Sequence, residues 1–364
     1  MIGETIRRLA IELDTKMRDT QIGESCFPYE FYKTYPFDVA NFHQIEGTRC
    51  GRKISFVDGG NQEILGGANI SIQLNRVYFN IFNGRRRMES KRIPQHLEFI
   101  SVTEATFSDD RPRYRTQILP VKAEFSHYLP VSQDLEFGMK DEGPHDISKI
   151  ASMARRFAEW SISKQVVVEE LSEGDILVMD GALWARYSNE LKYSKECFSA
   201  AQYKNVIFTA LAKTSRLITN SGISLLGAIR AMAYDGRVNG TWYYHPIAES
   251  HNTAEMFVLK LHEVSQRVYR YDIYSEQARK LSKEERMQIF TQILDNSSDL
   301  SFPGYPYGLI DADYNARIRG EEVEVYKMIL YSEISRRGSW PKFLREIQAL
   351  DAHDALDFIK GRSL

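Results

Sequence analysis

The first apolar residues fall at helical spacing: Ile6, Leu9 and Leu13 stand at i, i+3 and i+7 and predict an amphipathic helix over residues 1 to about 20. A connector rich in Tyr, Phe and Pro follows over 26–42. The period then changes to two. Residues 53–57 read as a strand that stops at Asp58-Gly59-Gly60, 68–74 alternate cleanly, and Val77, Phe79 and Ile81 resume the alternation after a break. Residues 97–107 predict another strand. Residues 108–145, rich in Pro, Gly and charge, predict a long loop or insertion. A helix over 147–160 precedes a short buried strand, 175–179, that stops at Asp180-Gly181. A strand over 205–212 leads into Lys213-Thr214-Ser215. Residues 242–247 and 256–274 read as mostly extended, 282–295 as a helix and 311–337 as one long helix with a helical tail behind it. Strands first, then helix, strand, strand and a late helix describe an α/β layer fold whose sheet opens as a meander.

Composition supports a folded chain. It has 364 residues, 43% of them hydrophobic, with 20 Tyr and 19 Phe, too aromatic for a disordered protein. The formal charge of −2 argues against a nonspecific coat for nucleic acid. Local basic runs remain: Arg85-Arg86-Arg87, Lys91-Arg92, Arg111 to Arg115 and Arg155-Arg156. Each taken singly reads as a solvated face. Cys26, Cys50 and Cys197 are scattered, odd in number and form no CxxC, which fits a reducing compartment. No apolar stretch suits a signal peptide or approaches the ~20 residues of a membrane helix, so the expectation is a cytoplasmic protein with no membrane contact.

The candidate chemistry lies in a pair of motifs. Two apolar runs each deliver an aspartate followed by glycine, Val57-Asp58-Gly59-Gly60 and Met179-Asp180-Gly181. Either alone is an ordinary hairpin turn. Together, at strand ends, they are placed to hold a cation. Two-metal phosphodiester hydrolysis needs further oxygen ligands. Glu159, late on the 147–160 helix, is the candidate third, against the alternative of an i, i+4 ion pair with Arg155 and with Glu104, Glu169 and Glu170 as rivals. Asp313 is the candidate fourth, with Asp311 competing, against helix N-terminal stabilisation. Lys213, at a strand end, can neutralise charge on a phosphate, with Thr214 or Ser215 as donors; the GxxxxG frame of a P-loop is absent. Arg85, Arg86, Arg87, Arg155 and Arg156 are candidate backbone contacts. Tyr305 and Tyr307 can stack on an unpaired base or pack at a helix start. His245 and His251 lack zinc spacing and read as structural. All-oxygen ligands suit Mn²⁺ or Mg²⁺.

The order of four motifs resembles the NurA nuclease family: Phe56-Val-Asp-Gly-Gly60, then Asp175-Ile-Leu-Val-Met-Asp-Gly-Ala-Leu183, then Ala210-Leu-Ala-Lys-Thr-Ser215, then Gly304-Tyr-Pro-Tyr-Gly-Leu-Ile-Asp-Ala-Asp313 with Ala316-Arg-Ile318. The resemblance implies an RNase H-like core with a mixed β-sheet flanked by helices. It also implies manganese-dependent DNA cleavage, of a 5′–3′ exonuclease and single-strand endonuclease type, and a homodimer that works with a hexameric HerA-type ATPase in end resection during double-strand-break repair by homologous recombination. On that reading Asp58 and Asp180 are ligands and Lys213 lies near the scissile phosphate. Asp313 stands where relatives carry histidine, and no sharp motif surrounds Glu159. The expected organisation is an N-terminal helix and connector over 1–45, a nuclease domain over 46–320 with the insertion near 108–145, and a C-terminal helical extension over 321–364. The alternative function is an inactive RNase H-like module that holds DNA or a partner; an RNase H-like enzyme acting on RNA is a third.

Overall fold

The computed structural model describes every residue except 1, 20, 28–31, 48–50, 91, 109–110, 139–145, 186, 188, 251–252 and 343–364. Cys50, Lys91, His251 and the expected helical tail lie outside the described residues. The principal helices and strands, in chain order, are α1 (Ile2–Asp19), β1 (Lys53–Gly66), β2 (Ile70–Asn83), β3 (His96–Ser108), β4 (Arg111–Pro120), α2 (Met153–Glu169), β5 (Ile176–Asp180), α3 (Glu190–Lys204), β6 (Ile207–Ala212), α4 (Leu225–Asp235), β7 (Trp242–Ser250), β8 (Ala254–Lys260), β9 (Tyr269–Tyr274), α5 (Lys283–Asn296), α6 (Tyr307–Ala316) and α7 (Gly320–Arg336). Among the described residues no helix is long and apolar enough to cross a membrane.

The chain divides into two compact units. One comprises residues 1–51, 180–184 and 207–307, the other 52–179, 185–206 and 308–364. In the second, β1, β2, β3 and β4 form an antiparallel meander. The chain then passes through α2 and lays β5 parallel to β1, pairing Ile176 with Ile54, Val178 with Phe56 and Met179 with Val57. In the first unit β7, β8, β9 and β6 pair antiparallel in that order. The outcome is the expected α/β class: a mixed sheet flanked by helices, with an N-terminal helix and helices near the C-terminus.

Several boundaries differ from the sequence expectation. β1 does not stop at Asp58. It continues through Asp58-Gly59-Gly60 to Gly66, with Asp58, Gly59 and Gly60 opposite Tyr78, Val77 and Arg76. Neither glycine takes the positive φ that an Asp-Gly hairpin turn demands. β2 is unbroken because the polar Asn75 inside it bonds to the Gln73 carbonyl and the Ser101 hydroxyl. The expected loop after residue 108 contains β4, where Arg111, Arg113 and Arg115 point outward while Pro112, Tyr114 and Thr116 are buried. A strand whose outward face is arginine reads as loop when only composition is weighed. The helix expected over 147–160 is a short helix, Ile147–Ala151, followed by α2, and the long helix expected over 311–337 breaks at 317–319 into α6 and α7. Helices α3 and α4 were not foreseen.

Candidate functional site

In the second unit the Asp58-Gly59-Gly60 segment lies between two helices, and strand alternation decides which helix each residue meets. A Cβ on Gly59 would stand 2.6 Å from Glu159 Oε1, whereas a Cβ on Gly60 would stand 2.3 Å from the Ala316 carbonyl. Helix α2 therefore covers the Gly59 face and α6 the Gly60 face. Asp58 shares the Gly60 face, the side of α6. The residue is 6% exposed, and its Oδ1 accepts the Gly59 N–H at 2.8 Å. Phe56 is on this face too: a Cβ on Gly308 of α6 would stand 2.0 Å from its ring.

This alternation changes the standing of Glu159. The structure brings it to the Asp-Gly-Gly segment, but from the face opposite the Asp58 side chain. There it pairs with Arg155, whose guanidinium also donates to the Gly59 carbonyl at 3.1 Å and to Asn61 Oδ1 at 3.0 Å. The i, i+4 ion pair weighed as its alternative is present. Two of its rivals are engaged elsewhere: Glu170 accepts from Ser90 Oγ and two backbone N–H groups, and Glu169 pairs with Arg92. The third, Glu104, is exposed on β3, opposite Arg115 in the strand register.

On α6, Asp313 is partly exposed and pairs with Arg317 at 3.0 Å. Asp311 is more deeply placed, receiving Asn80 Nδ2 at 2.7 Å, Arg87 Nη1 at 3.1 Å and Asn315 Nδ2 at 3.1 Å. Asn80, fully buried, also donates to the Gly308 carbonyl and so fixes the start of α6 against β2.

The second Asp-Gly motif belongs to the first unit. Gly181 takes φ +107°, a region that favours glycine, and its N–H donates to the Leu211 carbonyl at 2.9 Å. The chain therefore turns at the end of β5. Lys213 Nζ stands 3.0 Å from Asp180 Oδ2. Two residues on, the Leu183 N–H donates to Asp272 Oδ2 at 3.1 Å. Asp272 is fully buried on β9 and takes both 2.8 Å bonds from the buried Arg270 guanidinium. Sequence reading missed this lock. Its signal was present: two opposite charges at i and i+2 in the otherwise apolar run Tyr269–Tyr274 must share one face of a strand.

Of the basic candidates, Arg85 and Arg86 are exposed and Arg87 is about half exposed beside Asp311 and Tyr78. Arg155 is committed to Glu159. Arg156 donates to Glu190, which is fully buried and also accepts the Trp160 indole N–H at 2.7 Å. Neither arginine is displayed as a free backbone contact. Tyr305 is 4% exposed and packs on Tyr269 and Phe302, so it presents no ring face to a base; Tyr307 is the exposed ring of the pair.

Among the described residues no three His, Cys, Asp or Glu side chains are gathered closely enough to hold a metal ion. The donor set still suits a hard cation: the carboxylate candidates offer only oxygen, and Asp180 Oδ1 is buried with no hydrogen-bond partner.

No family model and no curated protein sequence matches the chain. Solved structures with distant likeness include endonuclease V of Ciona intestinalis in complex with a 24mer DNA containing an inosine followed by a ribo-adenosine. It is 10% identical, with a TM-score of 0.35 over 73% of this chain and 84% of that one. The Argonaute of Aquifex aeolicus is 9% identical with a TM-score of 0.27, and the Argonaute of Kluyveromyces polysporus with a guide RNA is 11% identical with a TM-score of 0.24. The chain spans 29% and 27% of those two proteins. Likeness at this level is too distant to bear on chemistry, which rests on the residues themselves.

Proposed function

We propose that the chain is a metal-dependent DNA nuclease of the NurA type, with Asp58 and Asp180 as its principal metal ligands. The observation that carries this reading is the parallel pairing of Phe56 with Val178 and of Val57 with Met179, after which each strand continues into its aspartate. Asp313, on the helix that covers the Asp58 face, is the next ligand, with Asp311 its competitor. Glu159 is the partner that fixes Arg155 against Gly59 and Asn61, on the face of β1 opposite the Asp58 side chain.

Asp58, Asp180 and Asp313 would hold Mn²⁺ or Mg²⁺, which when bound would supply the Lewis acidity that phosphodiester hydrolysis needs. Lys213, beside Asp180, donates to a phosphate oxygen as charge develops there. Arg85 and Arg86 offer exposed charge to the backbone. The finer reading comprises 5′–3′ exonuclease and single-strand endonuclease cleavage, a homodimer, and work beside a hexameric HerA-type ATPase in DNA end resection. It draws on the order of the four sequence motifs.

The test is cleavage of labelled single- and double-stranded DNA, with a parallel RNA substrate, in Mn²⁺, Mg²⁺ or EDTA. We expect metal-dependent DNA cleavage that disappears in Asp58→Ala and Asp180→Ala while circular dichroism stays unchanged. Cleavage that survives both substitutions rejects the site. DNA binding without cleavage selects the inactive binding module instead. Light scattering reports the dimer, and a pull-down with a HerA-type ATPase reports the partner.

A further inference from the structure

We propose that a groove in the first unit, walled by α4 and by the segment that follows β8, binds single-stranded nucleic acid, with phosphates on Arg230, Arg237 and Lys260 and a base on Tyr234. None of the carboxylates assigned above lines the groove. The choice of nucleic acid over other polyanions rests in part on the nuclease reading.

Helix α4 builds one wall by its periodicity. Leu225, Ala228, Ile229, Met232 and Ala233 are buried, with most of them packed on Trp242, Tyr244 and Val258 of the β7–β8 pair. The opposite stripe, Gly227, Arg230, Ala231 and Tyr234 at i, i+3, i+4 and i+7, lines the groove. The two small residues leave room, and the two long ones supply a charge and a ring. Tyr234 is 85% exposed, far beyond what packing requires of a tyrosine.

The other walls add cations. Arg230 Nη1 donates to the Gln266 carbonyl at 3.0 Å, tying the helix to the far wall with part of its guanidinium. Lys260, at the end of β8, lines the groove. Burial holds its ammonium below the ordinary lysine range, with the charge of Glu263 acting in the opposite sense. Arg237 ends the helix in a left-handed conformation, φ +55°, with its N–H on the Tyr234 carbonyl. That position ordinarily takes glycine, and arginine there is strained. Its side chain lines the groove. Asp235 is the carboxylate among the lining residues, so three cations stand against one anion.

The cavity volume is about 1170 Å³, larger than the several hundred typical of a small-molecule pocket. A cationic groove with a solvent-facing aromatic ring is the arrangement that holds an unpaired strand, through backbone charge and base stacking.

The test is fluorescence anisotropy of the full chain in EDTA, with labelled oligothymidylate and oligouridylate over a range of salt. We expect salt-dependent binding to at least one strand, and the tighter one identifies DNA or RNA as the source. Arg237→Gln combined with Lys260→Gln should lower the salt slope by about 1.4, at about 0.7 per lost phosphate contact on a single strand. Tyr234→Ala should weaken binding roughly fivefold or more and leave the slope alone. The exposed position of Tyr234 keeps that variant folded, as a thermal melt will show. Wild-type binding that neither variant alters overturns the groove and leaves the nuclease reading intact. No binding of either strand by the wild type also overturns it. Groove-dependent binding without metal-dependent cleavage upholds the groove and removes the nuclease.

Discussion

Lys213 Nζ stands 3.0 Å from Asp180 Oδ2, while Oδ1 of the same carboxylate is buried with no hydrogen-bond partner. A buried acceptor left unsatisfied is costly and invites a cation. On the proposed function, Asp180→Asn keeps the shape of the side chain and halves its value as a ligand. Titration of Mn²⁺ by electron paramagnetic resonance should show weaker binding with the melting temperature unchanged. Lys213→Met should leave Mn²⁺ bound and lower the cleavage rate by about 10²–10³, the usual cost of removing one donor to developing charge. Equal loss of metal in Lys213→Met would make Lys213 a structural partner of Asp180 alone.

Close approach at Gly59, Gly60 and Gly308 should translate into graded instability. Gly308→Ala drives a methyl to 2.0 Å from the Phe56 ring, a side chain with no exposed surface. Gly60→Ala meets the Ala316 carbonyl, a backbone atom, at 2.3 Å. Each should cost about 1–3 kcal/mol or more by urea denaturation. Gly59→Ala meets only side-chain atoms, Glu159 Oε1 at 2.6 Å and Arg155 Cγ at 3.0 Å, rather than backbone or a packed ring, so it should cost less and should loosen their ion pair.

Asp272→Ala leaves the Arg270 guanidinium buried without its carboxylate. The expected loss is about 3–5 kcal/mol of stability. The double substitution Arg270→Met with Asp272→Leu removes both charges and should recover most of that loss. A double-mutant cycle by chemical denaturation reads the difference. If Asp272→Ala melts like the wild type, the lock on Leu183 contributes nothing.

Glu255 gives the first unit an acid-sensitive contact. Burial works to raise its pKa, but the hydrogen bond and charge of His245, together with the charges of Arg286 and Arg279, hold it below the usual glutamate value. His245 also stacks on Phe257 at 4.4 Å, in keeping with a structural role. A carboxylate whose pKa is depressed by folding contributes stability above its unfolded pKa and loses it as pH falls through the folded value. Melting temperature should therefore fall below the ordinary glutamate range. Glu255→Gln should flatten that part of the profile while lowering stability near neutral pH. An unchanged acid limb in Glu255→Gln would locate the sensitivity elsewhere.

Much of the fold was legible from residue periodicity. The alternation of 68–74 and of 77–81, the apolar run before Asp180 and the helical stripe of 282–295 each lie in an element of the matching type. Local pattern suffices there because an element's inward face must be apolar wherever it sits. Boundaries failed where a local signal competed with a neighbour. Asp58-Gly59-Gly60 has turn chemistry, yet the β2 ladder holds it extended, and the glycines are explained by helices that approach from either side. The arginines of β4 hid a strand for the same reason: the Thr103–Thr116 and Phe99–Pro120 pairing that defines it is nonlocal.

By itself the sequence determined which residue types carry candidate chemistry: two aspartates behind apolar runs, a lysine after a third strand and acids on helices. Only the tertiary structure decided which of them share a face. Glu159 and Asp58 are separated by a one-residue change of side in β1, Arg156 is consumed by a buried Glu190, and Tyr305 is packed away. The physical reason is that a strand alternates its side chains with period two, so proximity along the chain says nothing about which helix will cover each side. That depends on how distant segments pack.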